Sequence, residues 1–278
     1  CSSLAETMYP LLFELGPLSI YSYGVLLATA YIVGLQFALR RANQAGLNGQ
    51  RVMDLGIFVI ISALVGAKLM LFLVDIDRFT SDPAELMVLL KSGGVFYGGL
   101  LLAVPVAWWY IRRHRLPLWT TCDLFAPGIA LGHAVGRMGC LLAGCCYGNA
   151  TDLPWGITFN STLAAANVGT PLGVALHPTQ VYEAIAELLV LGVLLLGERR
   201  WKPFPGRTFW TYLLLYPIAR IIIEFYRGDP RGMVFDTLPT SQFLSSMIIP
   251  VSIIMLVYLG RRAGSPDPSS RAQQKRAA

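Results

Sequence analysis

Residues 53–74 read MDLGIFVIISALVGAKLMLFLV, and from Leu55 to Ala67 this run carries no charge. A helix rises 1.5 Å per residue, so roughly 20 apolar residues cross the hydrocarbon of a bilayer. The segment has the length and composition of one such crossing. Six further runs of similar kind flank it, at about 18–39, 94–111, 119–142, 179–197, 207–226 and 239–260. In lipid every backbone polar group must be satisfied internally, so helices are the natural conformation for all seven. The expected fold is an all-α integral membrane protein of seven transmembrane helices in a single domain, 1–262, followed by a cytoplasmic tail at 263–278.

Composition agrees. The chain is 55% hydrophobic and 14% charged, whereas an average soluble domain carries roughly a quarter charged residues. The net charge of +6 does not point to nucleic acid, because the basic residues gather in the short gaps between apolar runs. Fifteen of the 22 Lys and Arg fall on one side of a seven-span arrangement, four on the other and three inside the runs. By the positive-inside rule the N-terminus is outside and the C-terminus cytoplasmic. The longest connection, 143–178, joins spans four and five on the outside. It has one charge, Asp152, and enough apolar residues to pack rather than stay unstructured. Residues 1–7 (CSSLAET) lack the charged and apolar regions of a signal peptide, and Met8 reads as the natural start.

Ionisable residues inside spans carry the functional signal, because an arginine at mid-membrane costs about 2.5–3.5 kcal/mol on insertion scales. Arg220, Glu224 and Arg227 follow one another at spacings of four and three, on one face of span six. Arg137 lies in span four among Gly132, Gly136 and Gly139, which permit close approach of a backbone or a headgroup. Both spans run outward, so both arginines belong to the outer half of the bilayer. The runs Gly93-Gly94-Val-Phe-Tyr97-Gly98-Gly99 and His177-Pro178-Thr179-Gln180-Val-Tyr182-Glu183 open spans three and five at the same level, and Tyr23 lies near the outer end of span one. An outer-leaflet cavity with two guanidinium groups suits a phospholipid, since guanidinium binds phosphate bidentately and keeps its charge when desolvated.

These landmarks, Tyr23-Gly24, Phe96-Tyr97-Gly98-Gly99-Leu100, Gly136-Arg137-Met138-Gly139, His177 to Glu183 and Arg220 to Arg227, resemble those of bacterial prolipoprotein diacylglyceryl transferases over residues 9–262. The resemblance implies a plasma-membrane enzyme with its active site facing the outer leaflet. It would move the diacylglyceryl group of phosphatidylglycerol to the lipobox cysteine thiol in the signal peptide of a prolipoprotein, releasing glycerol phosphate. It further implies that Arg137 and Arg220 hold the phosphate. Tyr97 is the candidate to accept the thiol proton, with His177 the rival, and Glu224 would orient Arg220 or Arg227. Tyr23, Gly98, Gly99, Gly136, Gly139, Gly148, Tyr182 and Arg227 complete the expected substrate site.

The chain departs from the family after Gly139. The family pattern Asn-Phe-x-Asn-x-Glu-x-x-Gly is here Cys140-Leu-Leu-Ala143-Gly-Cys145-Cys146-Tyr-Gly148. The C-x4-C-C spacing is not a zinc pattern; a disulfide, inert thiols or a redox pair remain open. Neither a metal nor a cofactor is expected. The other functional reading is a non-enzymatic bundle that binds or transports anionic phospholipid through the same arginines.

Overall fold

The computed structural model describes residues 9–16, 18–81, 94–230, 232–234 and 238–264. The first eight residues, the Lys91–Gly93 part of the span-three entry, and the tail beyond residue 264 fall outside them. A hairpin of β1 (Leu11–Leu15) and β2 (Leu18–Tyr21) precedes α1 (Ser22–Gln44). Then come α2 (Gly49–Val74), the short α3 (Ile76–Ser81), α4 (Phe96–Arg113) and α5 (Leu118–Ala143). The long connection contains β3 (Ile157–Thr158), α6 (Thr162–Val168) and β4 (Ala175–Leu176). The chain closes with α7 (Thr179–Arg200), α8 (Arg207–Glu224), a pair of two-residue strands β5 (Met233–Val234) and β6 (Leu238–Pro239), and α9 (Thr240–Gly264).

Each of the seven apolar runs contains one long helix. Five of these, α1, α2, α5, α7 and α9, are long and apolar enough to cross a membrane. The protein is thus mostly helical, with short two-stranded sheets in its connections. Some boundaries differ from the sequence reading. Span one begins at Ser22 rather than 18, because Leu18–Tyr21 pairs with Leu11–Leu15. Span two begins at Gly49, four residues early, because the Asn48 side chain caps it by accepting from the Arg51 amide.

Burial is inverted relative to a protein in water. On α7 the buried positions include Gln180, Glu183 and Glu187, while Leu188 and Leu189 are 50% and 66% exposed. On α9, Ser245 and Ser252 are buried and Ile254 is 64% exposed. A helix that hides carboxylates and presents leucine needs an apolar solvent.

The chain parts into two compact units, residues 38–121 and the remainder. Within 38–121, α2 and α4 approach through small residues. A Cβ at Gly98 or Gly66 would collide with the facing helix, and one at Gly99 would fall 2.7 Å from the Ala63 carbonyl. In the other unit α5 crosses the first part of α1 in the same way, with Gly34 against the Gly128 carbonyl and Gly132 against that of Ala30. Ala126 and Ala130 of α5, Val190 and Leu194 of α7 and Tyr212 of α8 form a buried cluster that joins these three helices. The long connection has its own small core of Tyr147, Phe159 and Leu176.

Candidate functional site

Glu183 stands where three helix ends meet. It lies in the second turn of α7, and its side chain is 2% exposed. An isolated buried carboxylate would be very costly; this one is surrounded by guanidinium groups. Arg137, in the last turns of α5, reaches Glu183 Oε2 through its Nε. Arg220, near the end of α8, donates from Nη1 to Glu183 Oε1 at 2.7 Å. Arg227, just beyond α8, donates from its Nη1 to the same oxygen at 3.4 Å. The two arginines singled out by sequence therefore converge on the two oxygens of one carboxylate.

Each arginine has a second partner that fixes its direction. Arg220 Nη2 lies 2.8 Å from Glu224 Oε2, one helical turn away. Arg227 is held bidentately by Asp229, with Nε to Oδ1 at 3.0 Å and Nη2 to Oδ2 at 2.9 Å. Burial pulls the Arg227 pKa down, but Asp229, Cys146 and Glu183 outweigh it and hold the pKa above the usual value. Arg137 Nε donates its single proton to His133 Nε2 at 3.1 Å, and His133 Nδ1 lies 2.5 Å from Glu187 Oε1. The expected partnership of Glu224 with Arg220 is present, while Arg227 takes Asp229.

The side chain of Arg137 is 16% exposed, against 9% for Arg220 and 3% for Arg227. The cleft between α7 and α8 lined by Glu183, Glu187, Tyr216 and Arg220 encloses about 10 Å³, room for a single water. The arginine cluster is thus most open on the Arg137 side.

Other expected residues are distributed around this centre. His177 Nδ1 is 3.1 Å from the Tyr182 hydroxyl, which accepts from Trp155 Nε1 at 2.8 Å, and the His177 ring lies edge-on to Tyr226 at 5.2 Å. Gly148 bridges to Arg227, and a Cβ there would collide with His177 and with the Tyr226 carbonyl. That tight passage ties the long connection to the end of α8. Tyr23 flanks Gly139, where a Cβ would press on Leu26 at 3.2 Å and meet Tyr23 in ordinary contact, and Gly136 faces open space. Tyr97, Gly98 and Gly99 belong to the 38–121 unit, where the two glycines serve the α2–α4 crossing.

Sequence reasoning missed the centre of this arrangement. Glu183 was visible in the His177–Glu183 run, but it looked like part of an interfacial helix entry. Its signal was the pair Glu183 and Glu187, two carboxylates one turn apart within a span, matched to His133 and Arg137 one turn apart on α5.

The departure after Gly139 also has a defined geometry. Gly144 at φ +79° ends α5, with the Gly144 amide donating to the Leu141 carbonyl at 3.2 Å and the Cys145 amide to that of Cys140 at 3.1 Å. This is a Schellman turn, which folds the residue after the glycine back beside the last helical turn. Cys146, at φ +62°, reverses the chain again. The sulfurs of Cys140, Cys145 and Cys146 consequently lie within 4.8 Å of one another. All three are free thiols, as is Cys122.

A sequence model of the family described as prolipoprotein diacylglyceryl transferase matches residues 10–258. A phosphatidylglycerol–prolipoprotein diacylglyceryl transferase of Clostridium tetani is 37% identical over 89% of this chain and 96% of its own length. A second from Clostridium perfringens is 34% identical over 93% and 98%. A third, from Oceanobacillus iheyensis, is 32% identical over 88% and 86%.

Proposed function

This chain belongs to the prolipoprotein diacylglyceryl transferase family, and from that premise we propose that it alkylates the lipobox cysteine of prolipoproteins with the diacylglyceryl group of phosphatidylglycerol. The observation that carries the reading at the level of residues is the convergence of Arg137 and Arg220 on the two oxygens of Glu183. A carboxylate held between two guanidinium groups is the geometric stand-in for a phosphate held the same way.

In the reaction the substrate thiol loses its proton and the thiolate attacks the glyceryl carbon. A carbon–sulfur bond forms, the carbon–oxygen bond to phosphate breaks, and the electron pair leaves on the oxygen of glycerol phosphate. Arg137 and Arg220 grip the phosphate and stabilise that developing charge, which is electrostatic catalysis by preorganised donors. Glu224 and His133 aim the two guanidinium groups. Tyr97 and His177 are the proton acceptors to test. Tyr23, Gly136, Gly139 and Gly148 shape the approach to the arginines, and Tyr182 and Arg227 support it.

The enzyme works in the bacterial plasma membrane, with seven spans and the arginines in the outer leaflet. The Lys and Arg asymmetry between alternate gaps supports this orientation, with the N-terminus outside and the C-terminus cytoplasmic.

Complementation tests the assignment. Expressed in a bacterium depleted of its own transferase, the chain should restore growth and add the mass of one diacylglyceryl group to a reporter prolipoprotein. Insertion at normal levels with an unmodified reporter would overturn it.

A further inference from the structure

We propose that Cys140, Cys145 and Cys146 form a three-thiolate zinc site whose fourth position receives the thiol of the incoming lipobox cysteine. This deepens the transferase reading and rests on it for the identity of the fourth ligand.

Zinc bound by three sulfurs sits ~2.3 Å from each, which sets the sulfurs ~3.8 Å apart in a tetrahedron. Here they already lie within 4.8 Å of one another, so small side-chain rotations close the cluster. The backbone beneath them is fixed. Thr179 Oγ1 donates to the Cys146 carbonyl at 2.6 Å and Gln180 Nε2 to the Cys145 carbonyl at 2.7 Å. Both side chains are fully buried in the first turn of α7. Thr170 Oγ1 holds the Gly144 carbonyl at 2.9 Å. Outer-shell support of this kind is what orients metal ligands.

A disulfide does not account for the cluster. Cys145 and Cys146 are neighbours, and their Cα separation of ~3.8 Å is below the usual range of disulfides. Whichever two of the three pair, one thiol is left over. Zinc uses all three. Sulfur selects thiophilic cations over calcium or magnesium, and three protein ligands with one open position is the arrangement of catalytic rather than structural zinc. Three thiolates and one zinc carry one net negative charge. Arg137 and Arg227, both within electrostatic reach of Cys146, lower the cost of that charge although each is also paired with a carboxylate.

The position gives the metal a purpose. Arg137 belongs to the phosphate grip and lies within electrostatic reach of Cys140 and Cys146. A thiol bound to zinc would release its proton, to Tyr97 or His177 or through them to water, and stay nucleophilic as thiolate. Its sulfur then forms the bond to the glyceryl carbon as phosphate departs, and the zinc does not change oxidation state.

The test uses the full-length protein purified in detergent under reducing conditions. Metal analysis should find one zinc per chain, and cobalt(II) replacing it should give thiolate-to-metal absorption with tetrahedral ligand-field bands. Adding a lipobox peptide should shift those bands, and the same peptide with serine for cysteine should not. Cys145→Ser or Cys146→Ser should weaken cobalt binding by more than the ~10–100-fold that loss of an outer-shell partner costs. No zinc and no cobalt spectrum in protein with titratable thiols, or a Cys140 disulfide in protein purified without reductant, would overturn the site. Unchanged cobalt bands on adding the thiol peptide, or full transfer by metal-free protein, would overturn its role. A zinc-loaded chain that never modifies a prolipoprotein would instead fail the transferase reading and leave the metal site standing.

Discussion

The three helices α5, α7 and α8 meet at two ends, and both ends are charged. At one, Arg137, Glu183, Arg220 and Glu224 bond to one another through side chains. At the other, Asp123 accepts from the amides of Gly206 at 2.6 Å and Phe209 at 2.8 Å, capping the start of α8. Arg207 Nη1 donates to the carbonyls of Trp201 and Lys202 at 2.7 and 2.9 Å, just after α7. Asp123 and Arg207 spend their charges on backbone groups that cannot leave, so those two charges are structural. The Arg137 end sets side chain against side chain, and a carboxylate there can be exchanged for a ligand anion.

The largest effect should therefore follow from removing either guanidinium at the exchangeable end. Arg137→Ala and Arg220→Ala should each lower transfer by at least about 10²–10³-fold, the usual cost of one preorganised electrostatic donor. Membrane insertion should be normal, as read by protease mapping. Turnover within tenfold of wild type by either variant would erase the distinction between the ends.

Glu183→Gln sharpens it further. The change keeps the shape and leaves three arginines without their shared counter-charge, which should lower stability in detergent by about 3 kcal/mol. Phosphatidylglycerol should restore the melting midpoint, because its phosphate supplies the missing negative charge. An uncharged lipid should not. If neither lipid restores it, Glu183 holds no place that a phosphate can take.

At the other end, Asp123→Ala should cost about 2–3 kcal/mol of stability through the lost cap on α8. The folded fraction should keep its specific activity. A variant that folds fully but transfers slowly would show that this end communicates with the chemistry.

The two ends also differ in how far they could be read from sequence. Arg137 and Arg220 stood out because charge in an apolar run is costly and thus rare. Asp123 stood at the margin of its run, where a carboxylate is unremarkable. Glu183 was hidden for a similar reason, since it follows a polar helix entry. The long helices were legible because each lies in a long apolar run, but Leu18–Tyr21 went to a hairpin that apolar content alone could not distinguish from helix. Gly98 and Gly99 entered the expected substrate site through the family resemblance, and the structure places them at a helix crossing. Glycine spacing serves both purposes equally, and only the facing backbone decides. The convergence of three sulfurs was illegible because C-x4-C-C is close in space only when Gly144 turns left-handed.

The smallest effect tests the same division at a single hydroxyl. Thr208, buried near the start of α8, donates from Oγ1 to Glu198 Oε1 at 3.0 Å and so ties α8 to the last turn of α7. Thr208→Val keeps the volume and removes one hydrogen bond to a charged acceptor, worth about 1.5–3 kcal/mol at most and less where the carboxylate has other partners. Glu198 has further contacts, so about 1 kcal/mol is expected, seen as a small drop in the unfolding midpoint. Transfer kinetics, including KM for phosphatidylglycerol, should not move. A changed KM with an unchanged midpoint would mean that the packing of α7 on α8 at this end sets the spacing of Glu183 and Arg220 at the other. The two ends would then be one device, and charges bonded to backbone would be tuning the grip on phosphate from across the membrane.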